Sequence, residues 1–178
     1  MSSTAATSTP TDHAARNDAR RRPGVEIAAL VLIVLVAQAA GLVGIPFTAR
    51  GTESWYGQLD RPWFDPPNWV FAPVWTFLYA LIGVAAWRVW RTAPSPSRTT
   101  ALRWWTVQLA LNALWTPLFF GAQMPELALG EILVLGACIV ATVVAFRAVD
   151  RIAAWMLLPY LGWVLYATLL NGAIAVMN

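Results

Sequence analysis

Arg61-Pro-Trp-Phe-Asp-Pro-Pro-Asn-Trp-Val-Phe-Ala-Pro-Val-Trp-Thr-Phe-Leu-Tyr79 is a proline-stiffened aromatic segment that runs straight into an apolar helix still carrying tryptophan. Trp63, Trp69 and Trp75 recur at intervals of six, and Pro62, Pro66, Pro67 and Pro73 restrict the backbone between them. Proline at that density lowers the entropy cost of holding one conformation. Two readings fit: a rigid aromatic lid at the mouth of a membrane cavity, or an interfacial aromatic belt with a turn.

Working outward from this segment, the rest of the chain is built for lipid. Hydrophobic residues make up 58% of the 178 residues and charged residues 12%, and the mean hydropathy is +0.57. Charge-free stretches run over 27–49, 66–87, 104–125, 132–146 and 152–178. A span needs about 20 apolar residues at a rise of about 1.5 Å each. Four stretches meet that length. The stretch 132–146 does so only if its helix starts near Pro125 and carries Glu126 and Glu131 in its first turns, where proline and carboxylates suit a helix N-terminus. The expectation is an all-α integral membrane protein, a bundle of five transmembrane helices over roughly 25–48, 68–91, 101–121, 125–147 and 151–177. A long connection, 49–67, joins the first two, and Ala93-Pro-Ser-Pro-Ser97 reads as a plain turn. In domain terms, residues 1–24 are a disordered cytoplasmic tail and 25–178 a single five-helix transmembrane domain. The first apolar run is too long for a signal-peptide core, although it suits an uncleaved signal anchor. No internal repeat supports an inverted-repeat transporter plan.

All twelve basic residues are arginine, and they sort by side. Arg16, Arg20, Arg21 and Arg22 lie in the tail, Arg88, Arg91, Arg98 and Arg103 around the second connection, and Arg147 and Arg151 around the fourth. Only Arg50 and Arg61 fall on the opposite side. The positive-inside rule places the N-terminus in the cytoplasm and the C-terminus outside. The pI of about 9.6 follows from this anchoring. Because the arginines flank helices instead of forming one patch, nucleic acid is not an expected partner. Cys138 is the sole cysteine, so no intramolecular disulfide forms, and the sole histidine, His13, is in the tail. Histidine ligation of haem and the usual metal sites are thereby excluded from the membrane region, and no metal-binding residues are expected.

Eleven tryptophans exceed what anchoring ordinarily takes. Trp55, Trp63 and Trp69 fall at one boundary, and Trp87, Trp90, Trp104, Trp105 and Trp155 at the other, as belt residues do. Trp75, Trp115 and Trp163 lie inside spans, where an indole N–H wants a partner. Helical spacing puts Gln108, Asn112 and Trp115 on one face, Tyr160, Trp163, Ala167 and Asn171 on another, and Phe71, Trp75 and Tyr79 on a third. Such stripes should point into the bundle, either as interhelical hydrogen bonds or as the lining of a pocket. Pro117 and Pro159 should bend their helices. Ala137, Ala141 and Ala145 form a small-residue row suited to close packing within the chain or in a dimer. Glu131, near a helix start, reads as dipole-stabilised before it reads as a proton carrier. No hydrolase triad, phosphate loop, metal cluster or redox cysteine pair is present in the sequence.

Three motifs in order carry a resemblance. Pro62-Trp63-x-x-Pro66-Pro67-x-Trp69-x-Phe71-x-x-x-Trp75-x-x-Leu78-Tyr79, then Gln108-x-x-x-Asn112-x-x-Trp115-x-Pro117-x-x-Phe120, then Pro159-Tyr160-x-x-Trp163-x-x-Tyr166-Ala167-x-x-x-Asn171 resemble the translocator protein family, also called tryptophan-rich sensory proteins. The similarity runs from about residue 26 to the C-terminus. It implies a five-helix membrane protein, commonly a homodimer, that binds tetrapyrroles such as protoporphyrin IX and haem without a required cofactor; animal members also bind cholesterol and benzodiazepine-type ligands. By motif match, Trp75, Asn112 and Trp163 are the polar–aromatic contacts, with Tyr79, Trp115, Ala167 and Asn171 lining or supporting the pocket. Trp63, Pro66 and Pro67 belong to the lid. The resemblance leaves open three roles: a tetrapyrrole sensor, regulator or scavenger; an enzyme degrading porphyrin in light and oxygen, with Trp75 and Trp163 as candidate catalytic residues; or a transporter of porphyrins or other lipophiles. The chain departs from animal members at its end, Ala-Val-Met-Asn178, which lacks their tyrosine–arginine sterol motif, and at Tyr166, where they usually carry phenylalanine. Arginine-only basicity and high alanine content point to a bacterium and five apolar helices to its cytoplasmic membrane.

Overall fold

The computed structural model describes residues 23–48 and 55–178, and these contain helices and no strand. α1 spans Pro23–Leu42, α2 Phe71–Trp90, α3 Pro96–Thr116, α4 Pro125–Arg147, α5 Arg151–Met156 and α6 Leu158–Met177. Four segments are long and apolar enough to cross a membrane: Pro23–Thr48, Asn68–Trp90, Pro125–Arg147 and Arg151–Met177. α3 has comparable length, 21 residues, but its first turns carry Arg98 and Arg103 and its buried face carries Gln108 and Asn112, so its composition falls short of the other four. Expected and observed helices agree in order and face, and differ at their ends for local reasons. The proposed 93–97 turn already contains the start of α3: Ser95 accepts from the Arg98 N–H as N-cap, and Pro96 occupies the first helical position. α1 breaks at Val43 and Gly44 and resumes over 45–48, because Pro46 has no N–H to continue the ladder.

Both internal prolines disrupt their helices as expected. After Thr116 the chain widens into a π-turn over Pro117–Gly121, which absorbs the missing proline donor. The fifth segment divides at Leu157, where α5 ends and α6 begins, with Pro159 in the first turn of α6. Asp150 caps α5 through the Ala153 N–H and binds Arg88 of α2 at 2.9 Å, tying α5 to α2.

The helices close tightly toward the arginine-bearing end. A Cβ on Gly83 of α2 would lie 2.7 Å from the Val34 Cα of α1, so only glycine permits that approach. Ala85 and Ala86 of α2 and Ala153 and Ala154 of α5 are buried beside it, and small side chains of this kind let helix backbones come together. Trp87 donates to the Glu26 carbonyl at 3.1 Å, and the Arg91 guanidinium lies 4.7 Å from the Trp87 ring centre. Toward the other end, α2 and α6 meet through large rings, Phe71 with Trp163 at 5.9 Å and Trp75 with Tyr160 at 6.3 Å. The Ala137, Ala141, Ala145 row is not the buried face of α4: Ala137 is exposed and the other two are half-buried, whereas Ile132, Leu135, Ile139, Thr142 and Phe146 face inward.

Candidate functional site

Between the helices at this end lies a cavity of about 390 Å³, walled by the end of α1, α2, α3, the π-turn, α4 and α6, with Tyr56 and Asn68 contributed by the connection between α1 and α2. Its size and mostly apolar wall fall within the range of about 300–1,000 Å³ common for small-molecule sites. Trp75, Tyr79, Asn112, Trp115, Trp163, Ala167 and Asn171 all line it. Three helices bring their aromatic stripes to one space because each stripe keeps helical spacing and is too polar to face lipid.

Hydrogen bonding sorts these side chains by what they have left to offer. Tyr79 donates to Asn112 Oδ1, Asn112 Nδ2 donates to the Tyr160 hydroxyl at 3.1 Å, and Tyr160 donates to Gln108 Oε1 at 2.9 Å. Gln108 Nε2 ends the chain on the Trp105 carbonyl at 3.0 Å. Trp115 Nε1 donates to Asn171 Oδ1 at 3.2 Å, and Asn171 Nδ2 donates to the Pro125 carbonyl at 2.8 Å. Both amides therefore have each polar atom engaged inside the protein, which makes them fasteners between helices. Trp163 differs: its indole nitrogen is buried and has no partner among the described residues. The Trp163 ring is held edge-on by Phe71 at 5.9 Å and tilted against Tyr166 at 5.5 Å. Trp75 stacks on Tyr79 at 5.3 Å and 29°, and Trp115 on Phe119 at 4.9 Å and 18°. Gly41 of α1 makes room for Tyr79, since a Cβ there would meet its ring at 2.3 Å.

The segment expected to form the lid behaves differently. Trp63 is 95% exposed and touches Phe64 edge-on at 5.8 Å; neither it nor Pro66 and Pro67 line the cavity. Tyr56 and Asn68 do so instead. The connection is pinned from within and from α6. Tyr56 donates to Asp65 at 2.8 Å and Arg61 to the other Asp65 oxygen at 2.7 Å. Burial, then the bond to Asp65 and its charge, push the Tyr56 phenol above its ordinary range. Tyr166 donates to the Phe64 carbonyl at 2.8 Å, and the Asn178 amide exchanges two 3.0 Å bonds with the Asp60 backbone.

Several residues behind or in the wall carry no sequence signal of their role, and Tyr160 stands behind it, outside the lining. Tyr160, fully buried, is the hub of the polar chain; it was visible on its stripe, yet no pattern marked it as central. Gln38, Gly41 and Thr116 line the cavity from positions with no aromatic signal. Glu131 has both carboxylate oxygens buried without a partner among the described residues and does not line the cavity. No group of three metal-ligating side chains occurs among the described residues.

A family model described as TspO/MBR matches residues 31–177. The chain is 41% identical over 155 residues to the Tryptophan-rich protein TspO of Archaeoglobus fulgidus, covering 86% of this chain and 99% of that one. It is 42% identical over 119 residues to the Tryptophan-rich sensory protein of Cereibacter sphaeroides, covering 67% and 73%. With the Translocator protein of Homo sapiens it shares 40% identity over 131 residues, covering 72% and 78%.

Proposed function

The chain belongs to the TspO/MBR family, and from that premise we propose that it binds tetrapyrroles, such as protoporphyrin IX or haem, in the aromatic cavity and acts as their sensor, regulator or scavenger. The observation that carries this reading is the buried Trp163 N–H, without a partner among the described residues, in a mostly apolar cavity whose wall includes the stacked pairs Trp75–Tyr79 and Trp115–Phe119. A buried donor without an acceptor costs about 1–3 kcal/mol, so the site favours an occupant that supplies one. A flat macrocycle with carboxylate side chains offers both a face for Trp75 and Tyr79 and an acceptor for Trp163. Asn112, Trp115 and Asn171 then hold the walls at the right separation, and Ala167 keeps space open. Haem would bind without histidine coordination, since the wall presents none.

The finer architecture belongs to the same proposal. α3 is the fifth membrane-crossing helix, covered on its polar face by its neighbours. The N-terminus faces the bacterial cytoplasm, as the arginines at one end of the bundle favour. The chain forms a homodimer, for which the exposed Ala137 side of α4 offers close packing.

The test is quenching of tryptophan fluorescence by protoporphyrin IX in the dark. Saturable quenching is expected, with Trp163→Phe weakening binding about tenfold, the equivalent of one lost hydrogen bond of about 1.4 kcal/mol. Linear quenching, equal in both proteins, would mean that porphyrin only partitions into the micelle. A second reading, light- and oxygen-dependent breakdown of porphyrin, is favoured by the Trp75–Tyr79 stack at the cavity wall, an electron-rich pair beside the ligand. It requires product formation that stops in the dark and falls in Trp75→Phe.

A further inference from the structure

The cavity has a side as well as a top, and the two are closed to different degrees. Where α1 and α2 cross at Val34 and Gly83 the backbones touch, with no room for a Cβ. Nearer the loop end the helices meet through side chains: the Tyr79 ring of α2 packs against Gly41 on the inner side, and on the outer side Gln38 Nε2 of α1 reaches the Thr76 carbonyl of α2 at 3.0 Å, in an exposed position. Beyond that bond the cavity wall reaches the outer surface among the described residues. Leu42 and Ile45 on the α1 side are 60% and 54% exposed, Ala72 and Thr76 on the α2 side are exposed, and all four also line the cavity. A residue that is both outer surface and cavity wall marks an edge of an opening. The top is fastened instead, by Tyr166 to Phe64 and by Asn178 to Asp60.

We propose that the cavity fills from the bilayer, through the seam between α1 and α2, and that Gln38 with the Thr76 carbonyl forms its polar sill. The ligand class that fits is a flat lipophile already dissolved in the membrane, which slides in edge-first and turns its acceptor toward Trp163. The sill explains an amide on an otherwise apolar helix face: exposed to lipid, Gln38 is costly unless it is bonded, and a carbonyl already in a helix retains a second lone pair for it. Among the described residues one such hydrogen bond holds the sill and three fasten the top, so the sill is the smaller barrier of the two. That a tetrapyrrole is the occupant rests on the function proposed above; the opening is a property of the wall alone.

The experiment therefore uses a probe that is not a porphyrin. Full-length protein carrying Cys138→Ala and Ala167→Cys is reconstituted into phosphatidylcholine vesicles, and N-(1-pyrenyl)maleimide, dissolved in the bilayer, adds its double bond to the cavity thiol. Leu42→Trp and Ala72→Trp narrow the seam from opposite helices, so a folding defect in one does not decide the result. Tyr166→Phe/Asn178→Ala loosens the top. The expected result is labelling slowed about fivefold or more by each seam variant and changed less than about twofold by the top variant, a spread that rate effects at one site readily reach. Labelling at the parent rate in both seam variants overturns side entry, and so does faster labelling in the top variant. Porphyrin titration of the unlabelled parent reads the proposed function separately, since a protein that binds no porphyrin still labels through its seam.

Discussion

The two ends of this bundle use the same helices in opposite ways. At the arginine-bearing end, Gly83, Ala85, Ala86, Ala153 and Ala154 let backbones approach until no space is left, and Asp150 locks α5 to α2 through Arg88. At the loop end, the same α2 and the continuation of α5 into α6 carry Phe71, Trp75, Tyr79 and Trp163, whose rings hold the helices apart around a cavity. Small side chains weld and large ones prop. The polar chain Tyr79–Asn112–Tyr160–Gln108 lies between them as the boundary. The difference teaches that the hollow is stable because its propping rings contact one another and its floor is a closed weld.

Breaking the weld should have the largest effect. Gly83→Leu forces α1 away from α2 and is expected to cost about 3 kcal/mol, the upper part of the range for overpacking, seen as a lowered midpoint of thermal unfolding in detergent by tryptophan emission. An unchanged midpoint would show that the crossing tolerates a side chain. Removing the boundary comes next: Tyr160→Phe leaves Asn112 Nδ2 and Gln108 Oε1 without their shared hydroxyl and should cost about 1–2 kcal/mol, the lower part of the range for buried polar groups left unsatisfied. The same variant sharpens the comparison if porphyrin affinity falls with stability, because the floor then positions the wall. Asp150→Ala removes the α5 cap and the Arg88 partner, with an expected loss of about 1 kcal/mol; amide exchange should rise first in α5, and a rise confined to α6 would refute the assigned role. The smallest effect belongs to Trp63→Ala, whose exposed ring should change stability by less than about 0.5 kcal/mol and leave porphyrin quenching as it was. A large loss of binding would restore Trp63 to the cavity mouth.

Much of this arrangement was legible in the residues. The charge-free stretches located the helices, and the stripes Gln108–Asn112–Trp115 and Tyr160–Trp163–Ala167–Asn171 found the wall, because polar groups in a membrane helix have few directions in which to face. The motif run 61–79 pointed correctly to a connection entering α2. It did not reveal that Trp63 points away from the cavity while Tyr56 and Asn68 line it. A proline-rich aromatic segment has no period from which to read a face. Ser95 and Pro96 carried a helix-start signal that the neighbouring Pro94 concealed, since the same residues also mark turns.

The sequence by itself determined that this is a membrane protein of helices, which faces of them are polar and aromatic, and which family it joins. Those properties follow from spacing along one helix at a time, and hydrocarbon punishes every misplaced polar group. Only the tertiary structure decided that Asn112 and Asn171 are used up holding helices together while the Trp163 donor has no partner among the described residues, and that Gln38 of α1 meets the Thr76 carbonyl of α2. Partnership is a property of pairs of helices, and a hydrogen bond exists only once two distant residues have been brought within about 3 Å of each other.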